Sequence, residues 1–252
     1  MNIIASRPGS YREHRHLAFE YLPKAGIRNV EIPPPEPGEI EGTKTALTEH
    51  GLTATSINTR CELSEDDQKR ALIRAMDTAK EMDVGIVFSS TKTGGLPVET
   101  AYQMLRELGE RAAERGVVIT METHPDMCQN GDQMLQTMKA VDHPNIRLNF
   151  DPANIYYYNR GVDALEELKK VAAYVASFHL KDTEGGYKQP EFPVLGKGVV
   201  DFPEIFRLLN GLGFYGPFTL ELEGISGLTL EKTHQRVVDC VEYLRSIGAM
   251  EP

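Results

Sequence analysis

Four segments between residues 117 and 223 each end in an acidic residue or a histidine, and together they could bind a divalent cation. These residues, which we call the quartet, are Glu122, Asp151, His179 and Glu221. Three carboxylates repel one another if they are brought together without a cation. A carboxylate-rich set with one imidazole suits manganese first, with magnesium, cobalt and zinc as alternatives. Six-coordination would leave two positions for neighbouring oxygens of a substrate.

The quartet falls on one face of four predicted β-strands. Side chains alternate between the two faces of a strand, and in each of these strands one face is polar while the other is mostly apolar. The polar positions are Thr120, Glu122 and His124; Arg147, Asn149 and Asp151; Ser177, His179 and Lys181; and Thr219, Glu221 and Glu223. In a closed barrel this polar face would point to the interior, near the end where barrel active sites lie.

Eight predicted strands alternate with helical patterns along the chain. The strands are expected at 2–6, 28–32, 52–57, 84–89, 117–122, 146–151, 174–179 and 217–222. Eight repeats of about 30 residues match βαβ units, which predicts an α/β fold, a (β/α)8 TIM barrel built as a single domain from residues 1–252. The alternative, an open doubly wound sheet, would need a glycine-rich phosphate turn after an early strand. The segment Ser6-Arg7-Pro8-Gly9-Ser10 does not match that motif.

The composition limits the classes of partner. With 27 basic and 37 acidic residues the formal net charge is −10, which argues against a nucleic-acid partner. No apolar run approaches the ~18 residues that span a bilayer, and the first residues lack a secretory pattern, so no membrane partner is expected. Three cysteines, Cys61, Cys128 and Cys240, form no CxxC pair. That usage suits a reducing compartment and predicts a cytoplasmic protein.

Short motifs in residues 117–223 resemble those of a known superfamily. They are Glu122-Thr123-His124, Asp151-Pro152-Ala153-Asn154, His179-Leu180-Lys181-Asp182, Leu195-Gly196-Lys197-Gly198 and Gly213-Phe214-Tyr215-Gly216, with a weaker match at Val30-Glu31-Ile32. Taken in order, they resemble the xylose-isomerase-like TIM barrels, the sugar phosphate isomerase/epimerase superfamily. The resemblance implies a metal ion held by the quartet. The superfamily is chemically diverse, so the fold by itself does not settle the reaction.

Several positions depart from particular members of that superfamily. Ketose 3-epimerases usually carry a histidine where this chain has Asn154, and an arginine shortly after the metal histidine, where Lys181 is the nearest cation. Endonuclease IV builds a histidine-rich three-metal site, but no histidine lies between His179 and His234. Xylose isomerase uses tryptophan in its sugar pocket, and this chain contains none.

Three functions remain open from the sequence. The first is a metal-dependent isomerase or epimerase that moves a proton on a ketose or keto-sugar through a stabilised enediolate, with Glu122 and Glu221 as base and acid. The second is a hydratase, dehydratase or lyase acting on a keto-sugar or keto-inositol. Both predict a small carbohydrate as the partner. The third, a binding module without catalysis, is disfavoured because polar faces on four strands weaken core packing.

Further residues are expected around the metal ion. The expected substrate-binding residues are Arg7, Glu31, His124, Asn154, Lys181 and Glu223. Glu223 is also an alternative metal ligand, because it shares a strand face with Glu221. We interpret residues 195–198 as a mobile loop rather than a phosphate cradle. The run 156–158, three tyrosines, could form a pocket wall or pack against another subunit, which is why a homo-oligomer is expected.

Overall fold

Residues 1–224 and 226–251, which the computed structural model describes, contain a closed barrel of eight parallel strands. The strands are β1 (Ile4–Ser6), β2 (Asn29–Ile32), β3 (Thr53–Glu62), β4 (Ile86–Lys92), β5 (Val118–Glu122), β6 (Ile146–Phe150), β7 (Val175–Leu180) and β8 (Phe218–Leu220). They pair in chain order, and β1 closes the barrel by pairing Ala5 with Thr219 of β8. The predicted (β/α)8 fold is therefore confirmed.

The helices surround the barrel. They are α1 (Ala18–Tyr21), α2 (Ile40–Glu49), α3 (Asp66–Glu81), α4 (Val98–Ala113), α5 (Gly131–Val141), α6 (Pro152–Tyr158), α7 (Ala164–Val171), α8 (Phe202–Gly211) and α9 (Leu230–Ser246), with 3₁₀ segments at Pro8–Leu17, Pro23–Ala25 and Ala172–Tyr174. In α3 the buried residues include Leu72, Ala75, Met76 and Ala79. Their spacing of three and four residues places them on one face, which packs on the strands. Within the described residues, no helix is long and apolar enough to cross a bilayer.

Polar side chains fill the inside of the barrel below the mouth, as the alternation in the sequence predicted. Ser177 Oγ lies 2.7 Å from Asn149 Oδ1 and 2.9 Å from Thr120 Oγ1, so β5, β6 and β7 are joined across the interior. The residues between these positions are apolar and fully buried against the helices, as Ile119 and Leu148 show. This arrangement fixes which face of each strand reaches the site.

Two strands extend further than the sequence predicts. β3 continues to Glu62, beyond its expected end at residue 57, and β4 continues to Lys92, beyond residue 89. Over this extension the two strands pair with each other, with Asn58 opposite Phe88 and Glu62 opposite Lys92. Mutual pairing satisfies their backbone N–H and C=O groups where other strands have already ended. As a result, β3 and β4 carry inward-facing side chains out to the rim of the mouth.

Candidate active site and metal centre

The quartet converges at the C-terminal mouth of the barrel. Glu122 ends β5, Asp151 follows β6, His179 lies in β7 and Glu221 follows β8. One ligand atom from each lies within 4.8 Å of those of the other three, and all four residues are buried. Side chains separated by up to about a hundred residues in the sequence thus meet at one point because adjacent parallel strands end at the same edge.

His179 presents a ring nitrogen to the carboxylates of the quartet. Its Nδ1 lies 3.3 Å from Glu221 Oε2 and 4.0 Å from Asp151 Oδ2, while Nε2 lies 3.4 Å from Glu31 Oε1. Among the described residues neither ring nitrogen has a hydrogen-bond partner, although the imidazole is fully buried, and Nδ1 is the nitrogen that faces the carboxylates of the quartet. A metal-bound histidine commonly directs its other nitrogen to a carboxylate. The donor set and this unpartnered nitrogen therefore fit a divalent cation.

Glu31 supports the site from beneath. Its fully buried carboxylate accepts hydrogen bonds from Arg7 Nε at 2.5 Å and from Ser56 Oγ at 2.7 Å. Burial acts to raise the pKa of Glu31, but the positive charge of Arg7 and the hydrogen bonds from neighbouring side chains outweigh it and hold the pKa well below its usual range. The sequence predicts that Glu31 contacts substrate. The structure instead places it behind Arg7, which donates a hydrogen bond to it, and 3.4 Å from His179 Nε2.

Arg7 and Phe88 connect the two sides of the mouth. The Arg7 guanidinium also bonds Glu221 and stacks over the Phe88 ring, 4.6 Å from its centroid. The Phe88 ring lies 4.6 Å from that of His179. Burial acts to lower the pKa of Arg7, but Glu31 and Glu122 outweigh it and raise the pKa. A cation–π contact of this kind fixes the position of the guanidinium beside the quartet.

Lys181 is surrounded by carboxylates. Its Nζ lies 2.9 Å from Asp151 Oδ2, 2.9 Å from Glu221 Oε2 and 3.1 Å from Glu223 Oε2. Burial acts to lower the pKa of this amine, but the negative charges of Asp151 and Glu223 outweigh it and raise the pKa. The Glu223 side chain is 44% exposed, against 6% for Glu221. Glu221 therefore lies in the quartet and Glu223 at its outer edge.

His124, Tyr158 and Asn154 lie around Glu122. His124 Nε2 is 3.0 Å from Tyr158 Oη and 3.8 Å from Glu122 Oε2. Burial lowers the pKa of the His124 imidazole although Glu122 opposes that shift. Burial also raises the pKa of Tyr158, to about 12. Asn154 Nδ2 donates to the Thr123 carbonyl at 3.1 Å and lies 3.5 Å from Glu122 Oε1.

A cavity of about 740 Å³ opens above the quartet. Among the residues singled out from the sequence, those that line it are Arg7, Glu122, His124, Asn154, Lys181, Glu221 and Glu223. Asp151, His179 and Glu31 are fully buried and do not line it. The cavity is large enough for a small sugar.

Five cavity residues on β3 and β4 were not singled out from the sequence: Asn58, Thr59, Arg60, Phe88 and Ser90. The sequence analysis ended both strands before this extension. A signal was nevertheless present, because polar Ser56, Asn58 and Arg60 alternate with Ile57 and Cys61 beyond the expected end of β3.

Two of the three consecutive tyrosines after β6 form a wall of the cavity. Tyr157 and Tyr158 line it, whereas the hydroxyl of Tyr156 lies 3.4 Å from Asp163 Oδ2. The pocket-wall interpretation of this run therefore applies to Tyr157 and Tyr158. The homo-oligomer inferred from the same run stays a prediction.

The loop between β7 and α8 is organised by one buried carboxylate. Asp182 accepts hydrogen bonds from the backbone N–H groups of Gly196 and Gly198, each at 2.9 Å. A Cβ atom at Gly198 would lie 2.3 Å from Asp182 Oδ1, so no larger residue fits this close approach. These N–H groups are already used by Asp182 and do not form a phosphate cradle. The loop places Phe192 on the cavity wall.

Comparison with known proteins agrees with this architecture. The sequence pattern described as the xylose isomerase-like TIM barrel matches residues 19–247. A ketose 3-epimerase of Arthrobacter globiformis is 25% identical over 223 residues, covering 79% of this chain and 74% of the relative. An inosose dehydratase of Clostridium perfringens is 24% identical over 236 residues, covering 79% of each chain.

A solved structure shows the same fold. The D-psicose 3-epimerase from Clostridium cellulolyticum H10, crystallised with D-tagatose, superposes with a TM-score of 0.78 at 15% identity. The superposition covers 98% of this chain and 99% of that chain. Because the family pattern spans most of the sequence and the barrel carries the site at its C-terminal mouth, the chain belongs to the xylose isomerase-like TIM barrel family.

Proposed function

We propose that the protein is a divalent-metal-dependent isomerase or epimerase that acts on a ketose or keto-sugar. The observation that carries this proposal is the quartet, whose ligand atoms lie within 4.8 Å of one another beside a cavity of about 740 Å³. The ketose 3-epimerase relative supports the same class of reaction. The substrate is therefore expected to be a small carbohydrate that carries a carbonyl next to a hydroxyl.

The quartet is the proposed holder of the metal ion. Its three carboxylates and one imidazole favour manganese, with magnesium, cobalt and zinc as alternatives. When bound, the ion would supply positive charge that stabilises the negative charge developing on the substrate oxygen as a carbon-bound proton leaves. The Nδ1 atom of His179, which lies among the carboxylates, is the proposed nitrogen ligand.

Glu122 and Glu221 are the proposed proton-transfer residues. Both line the cavity, but their surroundings differ. Within the described part of the chain, Glu122 has no lysine or arginine nitrogen within 4.0 Å, whereas Glu221 pairs with Arg7 and Lys181. We therefore assign removal of the carbon-bound proton to Glu122. Glu221, held in one orientation by its two cations, would serve the other face of the carbon, as an epimerase requires.

Three cavity residues are proposed to bind the oxygens of the substrate. Lys181 and Arg7 carry positive charge beside Glu221 and can donate hydrogen bonds to a carbonyl or hydroxyl oxygen. His124 lines the same space next to Glu122. These donors would fix the substrate so that the exchanging carbon faces the two glutamates.

Dehydration of a keto-sugar or keto-inositol is the second candidate. It begins with the same loss of a carbon-bound proton, but a neighbouring hydroxyl then leaves as water and needs a proton of its own. The hydrogen-bonded pair of Tyr158 and His124 faces the cavity beside Glu122 and could provide that proton. The inosose dehydratase relative supports this alternative.

An exchange experiment tests both candidates. The manganese-loaded protein is incubated in deuterated water with a panel of ketoses and with a keto-inositol, and the products are followed by NMR and mass spectrometry. Deuterium incorporation with an unchanged carbon skeleton and formula indicates isomerisation or epimerisation, whereas loss of water indicates dehydration. The Glu122→Gln variant serves as the control. If no ketose or keto-inositol in the panel undergoes either exchange or dehydration, the proposal is contradicted.

A further inference from the structure

We propose that the substrate carries an anionic group, a carboxylate or a phosphate, and that Arg60 binds this group at the rim of the cavity. The inference rests on the proposed function, because it names the substrate class of the same site. It concerns the side of the mouth formed by β3 and β4, away from the quartet.

The alternation of β3 directs Arg60 into the mouth. Ser56 lies inside the barrel, where its hydroxyl donates to Glu31. Positions 58 and 60 share its face, and both Asn58 and Arg60 line the cavity. Arg60 lies near the outer end of the extended strand, so its guanidinium is at the rim rather than among the metal ligands.

Arg60 differs from the other charged residues of the cavity because it has no partner within the described part of the chain. Arg7 is paired with Glu31 and Glu221, and Lys181 contacts three carboxylates. In residues 1–224 and 226–251, the Arg60 guanidinium has no carboxylate oxygen within 4.0 Å and donates no hydrogen bond. All five of its N–H donors therefore remain available to a ligand.

Two uncharged donors lie beside Arg60. The pairing of β3 with β4 places Ser90 opposite Arg60 and Phe88 opposite Asn58. The Ser90 hydroxyl and the Asn58 amide also face the cavity, and neither makes a side-chain hydrogen bond within the part of the chain that the structure describes. A guanidinium with a hydroxyl and an amide nearby matches the several acceptor oxygens of a carboxylate or phosphate. Paired strands hold these donors more rigidly than a loop would.

The charge of the mouth gives such a substrate one orientation. The quartet and Glu223 make the β5–β8 side rich in carboxylates. On the opposite side Lys92 follows Ser90 on the same face of β4 and, in the described chain, also lacks a carboxylate within 4.0 Å. The cations of the β5–β8 side, Arg7 and Lys181, are already paired with carboxylates, so an anionic group is attracted instead to Arg60 and Lys92 at the β3–β4 rim. The carbonyl end of the substrate would then point towards the quartet.

Binding measurements on matched ketoses test the inference. D-fructose, D-fructuronate and D-fructose 6-phosphate differ only at carbon 6, which carries a hydroxyl, a carboxylate or a phosphate, and the D-tagatose series provides the same three groups on a second stereochemistry. Dissociation constants are measured by calorimetry on the full manganese-loaded chain. In at least one series an anionic ketose should bind about tenfold or more tightly than the neutral one. Whichever anionic ketose has the lower dissociation constant shows whether the site prefers a carboxylate or a phosphate.

Variants at position 60 show whether this residue is responsible. Arg60→Ala should raise the dissociation constant of the anionic ketose by about tenfold to a hundredfold and leave that of the neutral ketose unchanged. Arg60→Lys, which keeps the charge but not the planar fork, should recover part of the affinity. Arg74→Ala removes an exposed arginine from α3, outside the mouth, and should leave the dissociation constants of both the anionic and the neutral ketose unchanged. Circular dichroism and metal content verify that each variant is folded and loaded.

The outcomes separate this inference from the proposed function. The inference is overturned if, in each series, neither anionic ketose binds more tightly than the neutral one. It is also overturned if Arg60→Ala weakens the binding of anionic and neutral ketoses equally. Deuterium exchange into neutral ketoses without any anion preference would uphold the proposed function and overturn the inference. Binding that depends on Arg60 but leads to neither exchange nor dehydration would uphold the anion site and overturn the proposed function.

Discussion

The two sides of the barrel mouth use their polar residues differently. On the β5–β8 side, Lys181 and Glu221 are buried and contact each other, and Lys181 also contacts Asp151. On the β3–β4 side, Asn58 and Arg60 face the cavity with no side-chain partner in the described residues. The first side is already organised by protein contacts, which suits proton transfer. The second keeps its donors for a ligand, which suits recognition.

Burial explains the difference. The Lys181 side chain is only 3% exposed, and a buried charge without a partner destabilises the folded state. Arg60 is exposed at the rim, where water compensates its charge. The comparison suggests that substitutions on the β5–β8 side will change metal binding and rate, whereas those on the β3–β4 side will change affinity.

The largest effect is expected for His179→Ala. This change removes the single imidazole of the quartet, so the variant should lose its bound divalent ion and all measurable turnover. Metal content, measured by mass spectrometry of the purified protein, gives the result directly. Asn58→Ala, on the other side of the mouth, should retain the ion. If His179→Ala kept a full equivalent of metal, the quartet would not be the metal site.

Glu122→Gln and Glu221→Gln should each slow deuterium exchange by about 10²–10⁴-fold without unfolding the protein, because an amide cannot accept the substrate proton. The exchange rate is measured by NMR, and circular dichroism monitors the fold. Glu184→Gln, which alters an exposed carboxylate, is the matched control. Wild-type exchange in Glu221→Gln would remove that residue from the mechanism.

Tyr158→Phe tests the pair that supports the Glu122 side of the site. It removes the hydroxyl that lies 3.0 Å from His124 Nε2, so kcat should fall by about tenfold. Tyr156→Phe is its control, since that neighbouring hydroxyl is directed to Asp163. Steady-state kinetics of both variants are compared with the wild type. Equal losses in the two would mean that the effect is structural.

The smallest effect is expected for Ser90→Ala at the β3–β4 rim. Loss of one neutral hydrogen bond costs about 1 kcal/mol, so KM should rise roughly fivefold while kcat stays unchanged. The separate kcat and KM values give the answer, and Ser246→Ala, at an exposed serine in α9, should alter neither. A fall in kcat with constant KM would show that the β3–β4 side takes part in the reaction itself. It would contradict the assignment of rate to one side of the mouth and affinity to the other.

Much of the site could be predicted from the alternation of residues along individual strands. Glu122 and His179 stand on polar faces whose neighbours, such as Met121 and Phe178, are fully buried against the helices. That pattern is local, so a single strand reveals it. The alternation continues past residue 57 to Arg60, but how far β3 runs as a strand depends on its pairing with β4, which the sequence of β3 does not contain. The role of Glu31 was missed for a similar reason, since its partner Arg7 comes from another strand end.

The number and order of the strands, the face that each one turns inward and the four side chains at the C-terminal edge could be predicted from the sequence, because these features follow from periodicity within short segments. Three features become visible only in the folded barrel: how far β3 and β4 extend, that Lys181 contacts Asp151 and Glu221, and that Arg60 has no partner in the described chain. Distances across a closed barrel are set by the tilt and stagger of all its strands together. No single segment carries that information.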